Sequence, residues 1–225
     1  MSQFVTTTIA IPAANRNLVS LAIAKDDWAI KGSGDDAFLA RAIARCSAAA
    51  EQFCNRSFAL ETVVDTIQLE RDPYPYQVPA GAAKLQLSRY PVVALTSLIE
   101  SDDTANSQTL VEGDDFSVNY ATGQVLRLDT FGRQMAWPAL VYVATYSAGY
   151  VLPGDQGRTL PVDIEDAVSR MVWTRYAERQ RDPFIAEVST VGVETVKYLP
   201  GVGDAGNLSA DEADILDNYR VPVIA

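Results

Sequence analysis

The side chains that most often carry out chemistry are scarce in this chain or badly spaced for it. Its 225 residues include no histidine. That absence removes Ser–His and Cys–His nucleophile activation, imidazole zinc ligands and the commonest general base together. The cysteines, Cys46 and Cys54, fall on one predicted helix. A spacing of eight residues puts them about 12 Å apart at 1.5 Å per residue, and a disulfide needs Cα atoms within about 7 Å. They are expected to be buried, reduced thiols. Lys25, Lys31, Lys84 and Lys197 have no catalytic setting around them.

Three further patterns invite a chemical reading. Gly201, Gly203 and Gly206 spell G-x-G-x-x-G. A dinucleotide site requires a further strand and an acidic residue about 20 positions on. Too little chain follows Gly206 for that unit, and Asp204 would stand beside the pyrophosphate, so the stretch reads as a hinge. The acidic pairs Asp102-Asp103, Asp114-Asp115 and Asp211-Glu212 suggest calcium or paired-carboxylate hydrolysis. In the loop that starts Asp102-x-Thr104-x-Asn106, however, Ser107 and Gly113 occupy the positions where a calcium loop needs glycine and glutamate. These pairs are expected to be solvated loop charges. Trp28, Trp137 and Trp173 could stack on bases, but the strands carry no interleaved Lys or Arg to hold a backbone, so they read as packing residues. No cofactor or metal is expected, and the chain is not expected to be an enzyme.

The elements that carry these residues centre on 140–183. Leu140, Tyr142, Ala144 and Tyr146 alternate with Val141, Val143 and Thr145, the period of a strand. A helix is predicted over 161–181. Pro161 suits its first turn, Asp163, Glu165 and Asp166 complement its positive end, and Arg175, Arg179 and Arg181 its negative end. Asp182-Pro183 stops it. Two earlier helices are predicted near 20–30, capped by Ser20, and over 35–54, with Leu39, Ala42, Ile43, Cys46, Ala49, Ala50 and Phe53 on one face.

Between 57 and 147 the period changes to two. Val63, Asp65, Ile67 and Leu69 share a face, 85–87 and 92–99 supply further strands, and 116–120 with 125–128 form a hairpin. Residues 71–83 and 101–115 read as polar loops. Residues 187–198 alternate again as one more strand or hairpin, and Ser209 to Glu212 has the capping-box pattern of a last helix. The predicted fold class is α+β: a helical bundle core (helices near 20–30, 35–54 and 161–181), an inserted antiparallel β module, and a C-terminal arm with a short helix. The domain organisation follows as an N-terminal arm over 1–17, a main domain over 18–198 with the β module at about 57–147, and a C-terminal arm over 199–225.

Bulk properties bound the partners. Net charge is −11, with 18 basic and 29 acidic residues, which argues against a nucleic-acid-binding surface. No apolar run approaches the ~20 residues that cross a bilayer, and the N-terminus reads poorly as a signal peptide. An intracellular chain with no membrane partner is expected.

The order of several short motifs resembles the head–tail connector (adaptor) proteins of long-tailed bacteriophages and prophages. Leu18-Val19-Ser20-Leu21-Ala22 and Asp35-Asp36-Ala37-Phe38-Leu39, leading to Glu51 and Cys54-Asn55-Arg56, resemble that family's opening helical pair. Arg89-Tyr90-Pro91-Val92-Val93 with Leu95-Thr96-Ser97-Leu98 resembles its central strand. Asp115-Phe116-Ser117-Val118 with Gly123, and Tyr146-Ser147-Ala148-Gly149-Tyr150, continue it. Leu160-Pro161-Val162-Asp163-Ile164, Ala167, Tyr176 and Arg179 resemble the next helix, and 208–224 is similar to the closing segment of larger members. The likeness spans most of 18–224. The N-terminal arm and the size of the β insertion depart from the smallest all-helical members.

The resemblance implies a virion structural protein at the head–tail junction, assembled in the host cytoplasm as a ring of about twelve copies through heterologous contacts. Its implied partners are the portal protein, a tail or stopper protein, further copies of itself, and DNA that passes through the lumen without specific binding. The apolar end behind the glycine hinge, together with the family pattern, marks Leu216, Tyr219, Arg220, Val221, Pro222, Val223 and Ile224 as portal-binding residues. The alternatives are a tail-completion or stopper ring protein and, more distantly, a small acidic hydrolase that uses carboxylates alone.

Overall fold

A computed structural model describes residues 3–69, 84–101, 106–138, 140–179 and 208–222, and the backbone of 187–190 and 194–197. The chain is mixed α+β, with four helices and antiparallel sheets among these residues. In order the elements are β1 (Gln3–Ile11), α1 (Leu21–Asp27), α2 (Asp36–Cys54), β2 (Glu61–Leu69), β3 (Leu85–Gln86), β4 (Val92–Ser101), β5 (Ser107–Leu110) and β6 (Phe116–Asn119). They continue with β7 (Gln124–Leu128), β8 (Gln134–Met135), β9 (Val141–Ala148), α3 (Val162–Glu178), β10 (Glu187–Thr190), β11 (Glu194–Lys197) and α4 (Ala210–Asp217). The chain divides into two compact units. One comprises 1–14 and 59–150, the other 15–58 and 151–225.

The first unit holds a five-stranded sheet in the order β1-β2-β9-β4-β5 and a smaller sheet in which β7 lies between β6 and β3, with β8 also paired to β7. The expected alternation decides which residues face the core. Val63, Ile67 and Leu69 of β2 and Tyr142, Ala144 and Tyr146 of β9 are buried. They share one hydrophobic cluster with Leu85, Phe116, Val125 and Trp137. Trp137 stands edge-on to Tyr142, ring centroids 5.0 Å apart, and donates Nε1–H to the Val125 carbonyl at 3.1 Å. The predicted 116–128 hairpin is β6 and β7, turned through Gly123 at φ +68. A Cβ there would lie 3.3 Å from the Tyr90 Cβ, so the turn needs both the left-handed backbone and the missing side chain.

The N-terminus differs from expectation. Within the predicted arm over 1–17, residues Gln3–Ile11 form a nine-residue strand paired antiparallel along β2, from Gln3 opposite Leu69 to Ile11 opposite Thr62, with an irregularity between Ile9 and Ile11. Its sequence lacks the apolar alternation that betrays a half-buried strand, because Thr6, Thr7 and Thr8 run together and only Gln3 and Val5 are half-buried. The loop expected over 101–115 contains β5, joined to β4 from Leu98–Leu110 to Ser101–Ser107.

The strands carry their charges on the inner side. Asp65 is fully buried and accepts hydrogen bonds from Thr7 Oγ1 (2.7 Å), Ser88 N and Oγ (2.8 Å each) and the Tyr146 hydroxyl (2.6 Å). Burial and the Asp65 carboxylate beside it push the Tyr146 hydroxyl well above the ordinary phenol range. Glu61 is paired with Arg89, and Glu100 with Arg127.

In the second unit α2 packs against α3, α4 against both, and α1 against α2 and α3. The buried face of α2 is Leu39, Ala42, Ile43, Cys46, Ser47, Ala50 and Cys54, and Asn55 in the left-handed region ends the helix. Ala49 and Phe53, expected on that face, are half-buried at its margin. Ser20 caps α1 by accepting from Ile23 N at 3.2 Å. Both α1 and α3 stop short of their predicted ends, at Asp27 and Glu178. Cys46 and Cys54 are buried and free, and burial pushes both thiols up to about 11. The helices expected to form the main core thus build only one of the two units, and the sheet unit has a hydrophobic core of its own.

Asp65 provides a direct test of the sheet. Asp65→Ala leaves the buried Tyr146 hydroxyl without its acceptor, removes the bonds from Ser88 and Thr7, and should cost about 3 kcal/mol, while Tyr146→Phe should cost about 1–2. Urea unfolding measures both, with Thr66→Ala, an exposed neighbour, changing stability by no more than about 0.5 kcal/mol.

Candidate functional site

Two of the acidic residues singled out in the sequence, Asp115 and Glu212, have structural occupations. Asp115 Oδ2 accepts from Val111 N at 2.8 Å. Asp129 accepts from Phe131 N and Arg133 N at 2.9 Å each, and these bonds, the Arg133 backbone contact foremost, hold its carboxyl below the usual range. With Asp114, Arg127 and Met135 they line an open depression of about 530 Å³. The Asp115 and Asp129 carboxylates in it are turned onto their own loops. Glu212 and Ser209 form the reciprocal capping box of α4 rather than a ligand set. Among the described residues no group of three Cys, Asp or Glu side chains could hold a metal, and no helix is long and apolar enough to cross a membrane. Asp102-Asp103 and the Gly201–206 motif lie outside the described residues.

The C-terminal segment is the one functional candidate carried over from the sequence. Its parts are separated by burial. Leu216 is fully buried and its carbonyl accepts from Cys54 Sγ at 3.3 Å, so its side chain serves the packing of this chain's own helices. Tyr219 is half-buried, edge-on to Phe58 at 6.4 Å, and donates to Asp163 Oδ2 at 2.7 Å. The Arg220 guanidinium lies 5.3 Å from the Phe53 ring centroid. Val221 N donates to the Cys54 carbonyl at 2.9 Å. Pro222 is exposed. Val223 and Ile224 lie outside the described residues. A segment expected to be an arm is therefore clamped to α2 and α3 up to Val221.

Sequence reasoning also missed the ionic sites of the helical unit. Asp35 accepts from Arg179 and, at 2.8 Å, from the Tyr176 hydroxyl, and the Arg179 hydrogen bond foremost holds its carboxyl below the usual range. Ser169 Oγ links Asp27 and Trp28, donating to Asp27 Oδ2 at 2.8 Å and accepting from Trp28 Nε1 at 3.0 Å, while Trp28 stacks on Trp173 at 4.8 Å. Glu165, expected only as a first-turn charge, is buried. Arg158 Nη2 lies 2.7 Å from its Oε2, but off the line of a hydrogen bond, and neither oxygen has a hydrogen-bond donor among the described residues. Burial raises this carboxyl above its ordinary range, against the pull of Arg158.

The outer side of the five-stranded sheet is the other extended surface. Register places Phe4, Thr6 and Thr8 of β1 beside Gln68, Thr66 and Val64 of β2. Thr62 and the β9 residues Val141, Val143, Thr145 and Ser147 continue the face. Ser97, Ile99 and Ser101 of β4 and Thr109 of β5 complete it. None of these side chains ionises.

With this geometry in place the chain can be compared with known proteins. No family model and no curated protein sequence matches it. Its fold is shared with chains of gene transfer agent (GTA) particles. Along 99% of this chain and 97% of the other it superposes on a chain from the neck of an empty GTA particle computed with C6 symmetry, with TM-score 0.53 and 15% identity. Along 97% of both chains it superposes on a chain from the virion of a native gene transfer agent particle, with TM-score 0.55 and 13% identity.

Two outcomes check the helical unit. Arg158→Ala strips the partner from a buried carboxylate. Breaking a fully buried pair costs about 3–5 kcal/mol, and one-third exposure of Arg158 lowers the expected loss to about 1–2 kcal/mol at pH 7. Because the folded Glu165 takes up its proton at a higher pH than the unfolded one, that loss should shrink as pH falls towards 4.5; urea melts at both pH values measure it. Leu216→Ala should cost about 2–4 kcal/mol by calorimetry, as a core residue does.

Proposed function

We propose that this chain is a head–tail connector (adaptor) subunit of a phage-like particle, forming a ring between the portal and the tail or its stopper, with DNA passing through the lumen. The observation that carries the reading is the likeness of fold over nearly the whole length of both chains to components of a gene transfer agent virion and neck. A chance match to one sheet or one helical pair would cover a part of each chain. The motif order in the sequence, from Leu18 to Ile224, supports the same reading independently.

The physics agrees. A ring subunit needs lateral contacts that repeat by rotation, not a cleft, and heterologous contacts close when the rotation allows. At −11 per chain, a ring of about twelve copies has ample negative charge to keep packaged DNA from adhering. The chain acts without catalysis in this reading. Its end remains the portal contact, in amended form: Leu216 drops out as an anchor, Tyr219, Arg220 and Val221 fix the base of the segment to the subunit, and Pro222, Val223 and Ile224 reach the partner.

The test is electron microscopy of the purified protein mixed with its cognate portal. A ring of this chain seated on the portal is expected. Binding to a tail-side protein and not to the portal would move it to the stopper position. Deleting residues 222–225, which leaves α4 and the Val221 bond intact, should abolish portal binding in a folded subunit; undiminished binding would refute the role of that end.

A further inference from the structure

We infer that the charge-free outer face of the five-stranded sheet, with the β1 edge that borders it, is the surface on which a second copy of this chain docks. The inference deepens the ring reading above by naming where copies touch. It starts from an asymmetry within one sheet. The strands do carry charge, but Glu61, Asp65 and Glu100 all point inward, where Arg89, the Ser88–Tyr146 hydroxyls and Arg127 meet them. The opposite face presents Phe4, Thr6, Thr8, Val64, Thr66 and Val143 and their uncharged neighbours. One residue in five of this chain is charged, and an ordinary solvated sheet face would carry several of them.

The edge has the same character. Unpaired strand edges in monomers are guarded by lysine, proline, inward charges or a short strand. β1 is nine residues long and contains no Lys, Arg, Asp, Glu or Pro. Phe4 and Ile11 on it are 64% and 63% exposed.

Charge selects the occupant. Two copies at −11 repel each other everywhere except where neither displays carboxylates, so self-association requires a face of this kind. A basic partner would be drawn to the acidic remainder of the surface instead. Five strands about 4.8 Å apart and about eight residues long cover roughly 500 Å², close to the share of a standard interface once the edge is added.

Sedimentation velocity on the full chain alone, over rising concentration and at low and high salt, tests this. The wild type should associate as concentration rises, more strongly in high salt, where the repulsion between copies is screened. Thr66→Asp and Thr66→Lys should each weaken association about tenfold or more, since both bury an uncompensated charge at the contact. Thr6→Lys should do the same from the paired strand. Thr66 is exposed, so circular dichroism and the melting temperature should stay at wild-type values. A wild type that remains monomeric throughout overturns the inference. So does a Thr66→Lys chain that associates more tightly than wild type, which would make net charge and not this face decisive. Variants that associate normally but no longer bind portal would also overturn it. The mixture with portal tests the ring reading separately, whichever of these results is obtained.

Discussion

The sheet unit depends on one carboxylate. Asp65 lies in the middle of β2 with no solvent contact, and an ion there is tolerable only when its lone pairs are filled. They are filled from three distant parts of the chain: Thr7 on β1, Ser88 in the connection between β3 and β4, and Tyr146 on β9. Tyr146 also accepts from Arg89 N at 3.1 Å, and Arg89 is the partner of Glu61 on β2. Bringing these groups together sets the register of β1 and β9 on β2. A slip of one residue would turn Asp65 to the outside and its donors inward with nothing to bind. Polar specification of this kind does what an all-apolar strand would not, because apolar side chains tolerate several registers.

The helical unit is closed in a different way. The α2 face of small residues, Ala42, Cys46, Ser47 and Ala50, brings the neighbouring helices close. The chain returns from α4 to add Leu208 and Leu216 to the buried set and a backbone bond from Val221 to the end of α2. Tyr219 then meets Asp163 in the first turn of α3. The C-terminal residues up to Val221 are thus part of the fold of the helical unit itself.

The sequence made legible what periodicity controls. Tyr142, Ala144 and Tyr146 against Val141, Val143 and Thr145 gave the faces of β9, and the pattern from Leu39 to Cys54 gave α2, because in both cases one side is apolar and the other is not. The 116–128 hairpin followed from Gly123, and α4 from the Ser209–Glu212 capping pair. β1 was illegible because its pairing depends on a partner strand more than 50 residues away and its side chains are mostly exposed, with three threonines in a run. Leu216 was misassigned for a related reason: an apolar residue near a chain end looks the same whether it awaits a partner or fills the core of its own unit. The Asp65 and Asp35 sites arise from long-range pairing, which no local spacing encodes.

What sets the sheet unit apart is where it puts charge. Evolution of an acidic chain could satisfy solubility by scattering carboxylates over every surface, and 29 acidic residues would suffice to do so. Here the sheet instead confines its carboxylates to one side, within reach of arginines and hydroxyls, and leaves the other to threonine, serine and valine. Turning Asp65 outward would have been simpler than supplying it with four hydrogen bonds from three separate parts of the chain. A face kept clear of charge at that structural cost is more consistent with a surface that meets protein than with one that meets water. Threonine and valine also suit such a contact, since β-branched side chains have little rotamer freedom left to lose when a neighbour settles on them.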